Sequence, residues 1–253
     1  MGGRVAELIT LDPLLELVGG IERLGHPSAG RTITVAGKNV RVSAGLGEDV
    51  PVAELLVDFT SPEGTMSALS FCTRRRIAMI TGTTGQSENN INAMKDASKT
   101  IPLLFSPNMS LGITVLAHML PHIVDSIGEN CEIEVIEKHH RSKKDSPSGT
   151  AVRLFQAMSS SSRGGNRFNL RYGRSEGVSE RQSDDVFVHS IRAGDIVGEH
   201  VVLFALRGER IEIKHVAESR DCFAHGTIAA IKYLLDKKAG WYSMEDVVNL
   251  PEP

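Results

Sequence analysis

Aromatic residues are scarce in this sequence, and a basic surplus is absent. Phe, Tyr and Trp make up 5% of 253 residues, with one Trp. Lys and Arg number 28 against 31 Asp and Glu, a formal charge of −3. Without excess cations to neutralise a phosphate backbone, a nucleic-acid binder is disfavoured. Cysteine is sparse too: Cys72, Cys131 and Cys222 are far apart and odd in number. That pattern argues against a disulfide framework, shows no metal-ligand spacing and fits a reducing cytoplasm. No apolar run approaches the ~20 residues that span a bilayer. No basic segment followed by a long apolar stretch opens the chain, so no secretory signal is expected. What is present is ordinary globular composition, 41% hydrophobic and 23% charged, at a length that suits one large domain or two small ones. A soluble, cytoplasmic α/β protein is expected, an enzyme or a small-molecule binder.

The first two-thirds of the chain alternates strand-like and helix-like segments. Val5 to Leu11 reads as a short helix behind Gly2-Gly3, and Leu15 to Ile21 as a strand. Leu55–Phe59, Ile77–Thr81 and Ile101–Phe105 are compact apolar strands. Helices from Pro62 to Arg75 and from Ser87 to Ser98 separate them, the first with Pro in its opening turn and the second with Ser at its cap. Such alternation implies parallel βαβ units. After Gly112 the pattern changes. A long apolar helix runs to Ile127, Glu132–Glu137 alternates with the period of a half-buried strand, and Ser148–Met158 is helical. Ser159–Asn166 reads as a flexible surface loop. Val186–Ile191, Glu199–Leu206 and Arg210–Val216 read as antiparallel strands, the last two a hairpin around Arg207-Gly208-Glu209. Phe223–Leu235 returns to helix. The expected fold is α/β, a parallel nucleotide-binding half followed by a second α+β part with a mixed, largely antiparallel sheet.

The run Glu137-Lys-His-His-Arg-Ser-Lys-Lys-Asp-Ser-Pro-Ser-Gly-Thr150 carries the most information. It sets two His and two Lys just after a strand, then opens a helix at Ser148-Gly149-Thr150. Free N–H groups at a helix start form an anion site, and nearby cations can bind a carboxylate or donate a proton. Read alone, the same residues also make a solvated basic loop before a capped helix. Adjacent His side chains without further ligands argue against a metal. Gly82-Thr83-Thr84-Gly85 and Asp58-Phe59-Thr60 each end a strand at the carboxyl edge, where open α/β sheets bind ligands; a plain turn is the alternative. Glu22-Arg23 follows a strand where an acidic residue can hold a ribose hydroxyl and an Arg the 2′-phosphate of the phosphorylated dinucleotide. Two solvated charges are the alternative there. The segment Arg192-Ala-Gly-Asp-Ile-Val-Gly-Glu-His200 reads as a turn with no clear chemistry.

Taken together, the stretches GGR, VDFTSPEGT, GTTG, EVIEKHHRSKKDSPSGTA, RAGDIVGEH and ESRDCFAHG, in that order along nearly the whole chain, resemble the 4-hydroxy-tetrahydrodipicolinate reductase (dihydrodipicolinate reductase) family of lysine biosynthesis. The resemblance implies a Rossmann-type domain for NADH or NADPH over residues 1–110 and 220–253. It implies a substrate-binding and oligomerisation domain over 111–219, and a homotetramer. It implies hydride reduction of a cyclic dicarboxylate. His139 matches the proton donor and Lys143 the catalytic Lys. His140, Ser148, Gly149 and Thr150 match substrate contacts. Gly3, Arg4, Glu22, Arg23, Phe59, Thr60, Gly82, Thr83, Thr84, Ser106, Pro107, Asn108, Arg220 and Phe223 match cofactor contacts. With Glu22 and Arg23 both present, use of both dinucleotides is implied. No metal is expected.

One departure stands out. The family opens on an apolar strand leading into G-x-x-G-x-x-G, whereas here Gly3 matches the second Gly, Ala6 stands at the third, and the strand and first Gly have no counterpart. In the order 3-2-1-4-5-6 that strand sits mid-sheet. Its lack is expected to leave the flanking strands with unpaired inner edges, at ~1–3 kcal/mol for each buried unpaired group. Either Met1 is a misplaced start, with ~10–15 further residues supplying the strand, or the chain is a truncation that binds cofactor poorly. The intact remaining motifs favour the first. Two other functions stay open on the sequence. One is a non-catalytic dinucleotide- or dicarboxylate-binding relative, against which His139 and Lys143 argue. The other is a different nicotinamide enzyme, such as an amino-acid or imine reductase, against which the Ser148-Gly149-Thr150 loop argues.

Overall fold

The computed structural model describes residues 1–128, 131–162, 167–174, 176–177 and 180–248. Its first helix, α1 (Gly2–Leu11), turns Val5 inward and stops where Asp12 becomes extended. Strand β1 (Gly20–Glu22) and the hairpin β2 (Thr32–Val35) and β3 (Lys38–Ala44) follow. The hairpin turns at Ala36-Gly37, both with positive φ, 44° and 83°, as a type I′ turn requires. Then come β4 (Leu55–Asp58), α2 (Pro62–Arg75), β5 (Ala78–Thr81), α3 (Glu88–Ala97) and β6 (Pro102–Phe105). Ser61 and Ser87 cap α2 and α3 by accepting the N–H of Gly64 and Asn90, which stops each helix from starting earlier.

Next along the chain are α4 (Leu111–Ile127), β7 (Glu132–His139), α5 (Gly149–Ser159), β8 (Asn169–Tyr172), β9 (Asp185–Arg192), β10 (Gly198–Leu206) and β11 (Glu209–Ala217). The last described elements are α6 (Asp221–Leu234), β12 (Gly240–Tyr242) and α7 (Met244–Val248). It divides into two compact units, Met1–Ser110 with Phe223–Val247, and Leu111–Cys222 with the chain end from Val248.

In the first unit β12, β6, β5 and β4 form a parallel sheet in that order. Asp58 lies opposite Thr81, and Thr81 opposite Phe105, so the loops after β4, β5 and β6 leave from one edge. Both faces of the sheet are covered. Ile80 and Leu104 pack with Val5, Ala224, Ala230, Ile231 and Leu234, while Met79 and Leu103 pack with Leu69, Phe71, Cys72 and Met94. Each fully buried aliphatic side chain contributes ~1.5–3 kcal/mol. Helix α6 lies so close to residue 109 that a Cβ on Gly226 would stand 1.8 Å from the Met109 carbonyl oxygen.

The other three strands of this unit form a separate sheet, β1-β3-β2. Of the expected strand Leu15–Ile21 only its end is strand, Gly20–Glu22, which pairs with Val42–Ala44. Among the described residues β1 has no partner on its other side, and β4 none beyond β5. Leu55, Leu56 and Val57 stay half-buried while every residue of β5 is buried.

The second unit holds one mixed sheet, β11-β10-β7-β9-β8, with α4 and α5 on one face. Strand β10 is antiparallel to β11 and β7. Strand β9, expected to be antiparallel, is parallel to both of its neighbours. The connections from β7 and from β8 both return to the same end of the sheet before β9 begins. The hairpin between β10 and β11 turns at Arg207-Gly208, as expected. The sequence reading missed β2, β3, β8 and β12. Residues 163–166 of the expected loop, and 249–253 of the expected 220–253 segment, lie outside the described residues.

Candidate active site

The carboxyl edge of the first unit's parallel sheet is organised around Asp58, which is 2% exposed. Its Oδ2 accepts hydrogen bonds from the hydroxyls of Thr65 (2.6 Å), Thr81 (2.8 Å) and Thr83 (2.9 Å). Its Oδ1 accepts from the Thr60 N–H (3.0 Å) and hydroxyl (2.5 Å). The Thr60 N–H also reaches Thr83 Oγ1 at 2.9 Å. A Cβ on Gly82 would stand 2.1 Å from the Phe59 ring, so only glycine lets that ring lie against the second loop. Phe59, Thr60, Gly82, Thr83 and Thr84 are thus brought together, with Thr60 and Thr84 exposed. The Ser106 N–H joins Thr81 O at 3.1 Å, and the Ser106 hydroxyl donates to Asn108 O at 2.7 Å. That places Ser106, Pro107 and Asn108 on the same edge.

The remaining expected cofactor residues are placed apart from these. Gly3 and Arg4 lie in the first turn of α1, which has no side-chain cap, and no atom comes within 4 Å of a Cβ built on Gly2 or Gly3. Arg4 pairs with Glu7 at 2.7 Å. Glu22 ends β1, on the other sheet, with Arg23 beside it. Phe223 packs on the first unit's core, whereas Arg220 is exposed and falls in the second unit. An open, uncapped helix start suits a phosphate, and a carboxylate after a strand suits a ribose. These residues fit a dinucleotide.

In the second unit the strand alternation decides what is inside. Ile133, Val135, Glu137 and His139 all take the inward face of β7, so the strand runs through His139 rather than ending before it. Glu137 is fully buried. Its two oxygens accept from Arg192 Nη1 and Nη2 at 2.8 and 2.7 Å, and Oε1 also takes the Ser148 N–H at 3.1 Å. His139 Nδ1 lies 2.5 Å from Oε2. Ser148 caps α5 through the Ala151 N–H, and its hydroxyl lies 3.1 Å from His200 Nε2. The His139 and His200 rings meet edge-on, 5.2 Å between centroids. Register places Arg192 beside His139 and His200 beside Glu137. The segment Arg192–His200, read as a turn without chemistry, therefore delivers both of its ends to this cluster. Lys143 pairs with Asp145 at 2.8 Å, and its N–H bonds His140 O at 3.1 Å. His140 and Thr150 are half-buried and Gly149 is exposed at the helix start.

Burial alone would raise the Glu137 carboxyl, but hydrogen bonds from Arg192, Ser190, His139 and Ser148 outweigh it and hold it at about 2. His139 is lowered, chiefly by burial and further by the Lys143 and Arg192 charges, with Glu137 opposing. Burial, reinforced by His139, pushes His200 down to about 4, so its ring is neutral. Glu137, Arg192, His200 and Asp58 were not among the expected site residues. Among the described residues no group of three or more His, Cys, Asp or Glu is placed to hold a metal ion, and no helix is long and apolar enough to cross a membrane.

Two family descriptions cover the chain almost end to end. "Dihydrodipicolinate reductase, N-terminus" matches residues 1–109 and "Dihydrodipicolinate reductase, C-terminus" matches residues 112–248. The chain belongs to the dihydrodipicolinate reductase family. Proteins named 4-hydroxy-tetrahydrodipicolinate reductase show the same relationship. The one from Citrifermentans bemidjiense is 36% identical over 256 residues, 99% of this chain and 95% of its own length. The one from Laribacter hongkongensis is 37% identical over 253 residues, 99% and 94%. Among solved structures, dipicolinate-bound dihydrodipicolinate reductase from Paenisporosarcina sp. TG-14 matches with a TM-score of 0.74 at 19% identity, over 97% of this chain and 94% of its own. Amine dehydrogenase from Mycobacterium smegmatis matches with a TM-score of 0.60 at 13% identity, over 100% and 93%. At those identities the two structures share the fold alone. The family resemblance read from the motifs therefore holds, and the chain is an oxidoreductase with a Rossmann-type unit and a mixed-sheet unit.

Proposed function

We propose that this protein reduces 4-hydroxy-tetrahydrodipicolinate (dihydrodipicolinate) to tetrahydrodipicolinate with NADH or NADPH, a cytoplasmic step of lysine and diaminopimelate biosynthesis. The observation that carries the reading is the cluster at the end of β7. There a buried His, a capped helix start and two cations converge within one unit of a chain that belongs to this reductase family. The substrate is a dianion. The start of α5, with Ser148, Gly149 and Thr150, binds one carboxylate through N–H and hydroxyl groups, and His140 adds a further contact. His139 donates the proton that completes reduction, and the Lys143 ammonium stabilises the negative charge that builds as hydride arrives.

The nicotinamide dinucleotide supplies that hydride when bound. Phe59, Thr60, Gly82, Thr83, Thr84, Ser106, Pro107 and Asn108 hold its reactive end, while Gly3 and Arg4 take the phosphates. Glu22 and Arg23 sort the two dinucleotides, and Arg220 and Phe223 complete the contacts. Four copies associate through the sheet face turned away from α4 and α5, where Ile191 and Val216 are 42% and 44% exposed.

Oxidation of NADH and NADPH with substrate generated in situ tests the reading. His139→Ala and Lys143→Ala are each expected to lower kcat at least ~100-fold while dinucleotide binding is kept. Wild-type protein that folds and binds dinucleotide without turnover would instead make this a binding relative, and light scattering of the same sample reads the tetramer.

A further inference from the structure

We propose that Glu137 is the positioning residue of the proton donor: gripped by Arg192, it fixes His139 with a proton on Nδ1 and leaves Nε2 as the nitrogen that gives up and regains the transferred proton. The proposal rests on His139 being that donor. The argument is one of donors and acceptors. An ionised carboxylate offers about four lone-pair positions and no donor. Glu137 receives two Arg192 nitrogens, the Ser148 N–H, the Ser190 hydroxyl and His139 Nδ1, which leaves none of its lone pairs idle. Three of these partners can only donate, so the carboxylate stays ionised, and the ring nitrogen facing it must donate as well. In the neutral ring Nε2 is then the free acceptor, and in the charged ring it is the second N–H.

Arg192 contributes orientation. Its planar guanidinium takes both oxygens, so the carboxylate cannot rotate away from the ring. On the other side of the imidazole, a Cβ on Gly198 would lie 3.1 Å from Nε2, so glycine there keeps the working nitrogen clear. The groups facing His139 are Glu137 on its own strand, Arg192 on β9, His200 on β10 and Lys143 in the following loop with its partner Asp145. Glu137 pulls the ring toward its charged form through both its hydrogen bond and its charge. The same carboxylate holds the Ser148 N–H, which ties the start of α5 to the donor.

Imidazole nitrogen NMR of histidine-labelled wild-type protein reads the proton position without any variant. The neutral His139 ring is expected to carry its proton on Nδ1, and a proton on Nε2 would overturn the proposal. Glu137→Gln tests the consequence. A donor works only while protonated, so activity falls as pH rises through the His139 value. Losing the carboxylate lowers that value, and the alkaline limb of kcat should move to lower pH by about one unit or more. The dinucleotide KM should stay put, and Glu137→Asp should restore part of the limb. In a His139→Asn background Glu137→Gln should cost nothing further. An unmoved limb, or an equal loss in both backgrounds, rejects a positioning role. Full turnover by His139→Asn alone would remove the donor reading, while the NMR result still decides on Glu137.

Discussion

Four threonine hydroxyls and a backbone N–H replace the water that Asp58 gives up on burial, and in doing so they bind two loops into one surface. The Phe59 ring completes that surface by occupying the space a side chain on Gly82 would need. Gly82→Ala is therefore expected to destabilise the first unit by about 1–3 kcal/mol and to raise the dinucleotide KM. Adding Phe59→Leu should return part of both, because the conflict is with the ring. Calorimetry and steady-state kinetics check the pair, and a rescue that restores neither would place the strain elsewhere. The loops at Phe59-Thr60 and at Gly82-Thr83 were legible because each directly follows a compact apolar strand in the sequence. Glu137 was not. The alternation of Ile133 and Val135 already places residue 137 inward, but the reason a carboxylate can sit there is Arg192, a partner far along the chain that no local pattern announces.

The same division holds for the elements. Helices α2, α3 and α5 were legible from local signals, Pro in the opening turn of α2 and Ser at the starts of α3 and α5. The direction of β9 and the existence of β12 depend on which strand lies alongside, and periodicity carries no such information. The hairpin of β2 and β3 was readable from the alternation around Ala36-Gly37 and was passed over. Strands β1 and β4 each end a sheet among the described residues. An open edge leaves backbone groups to water and half-exposes the apolar side chains beside them. Amide hydrogen exchange should accordingly be faster across Leu55–Asp58 than across Ala78–Thr81, where both sides are paired. Equal protection in the two strands would mean that the edge of β4 is covered in solution.

For the molecule as a whole, two buried groups of the second unit set how stability responds to acid. Glu137 titrates at about 2 in the folded chain against an ordinary 4.5. Its contribution is complete above pH 4.5 and fades as pH falls toward 2. His200 titrates at about 4 against 6.5. It is buried neutral, so its contribution is complete above pH 6.5 and is lost as pH falls through 4. Both act in one direction, each on the order of a few kcal/mol. The second unit should lose thermal stability steadily below pH 6.5, and His200→Gln should flatten the upper part of that slope. A melting transition that stays constant between pH 6.5 and pH 4 would contradict this.

The first unit is built from two stretches of chain separated by Leu111–Cys222, which make up nearly all of the second, and its core needs Ala224, Ala230, Ile231 and Leu234 from the later stretch. On the ribosome those residues emerge only after all of Leu111–Cys222. At about 5–20 residues per second, the early strands wait on the order of ten seconds for the helix that closes over them. The stretch Leu111–Cys222, nearly all of the second unit, is complete before they do. The mixed-sheet unit is thus finished first, and the Rossmann-type unit is the one a translating cell must shield.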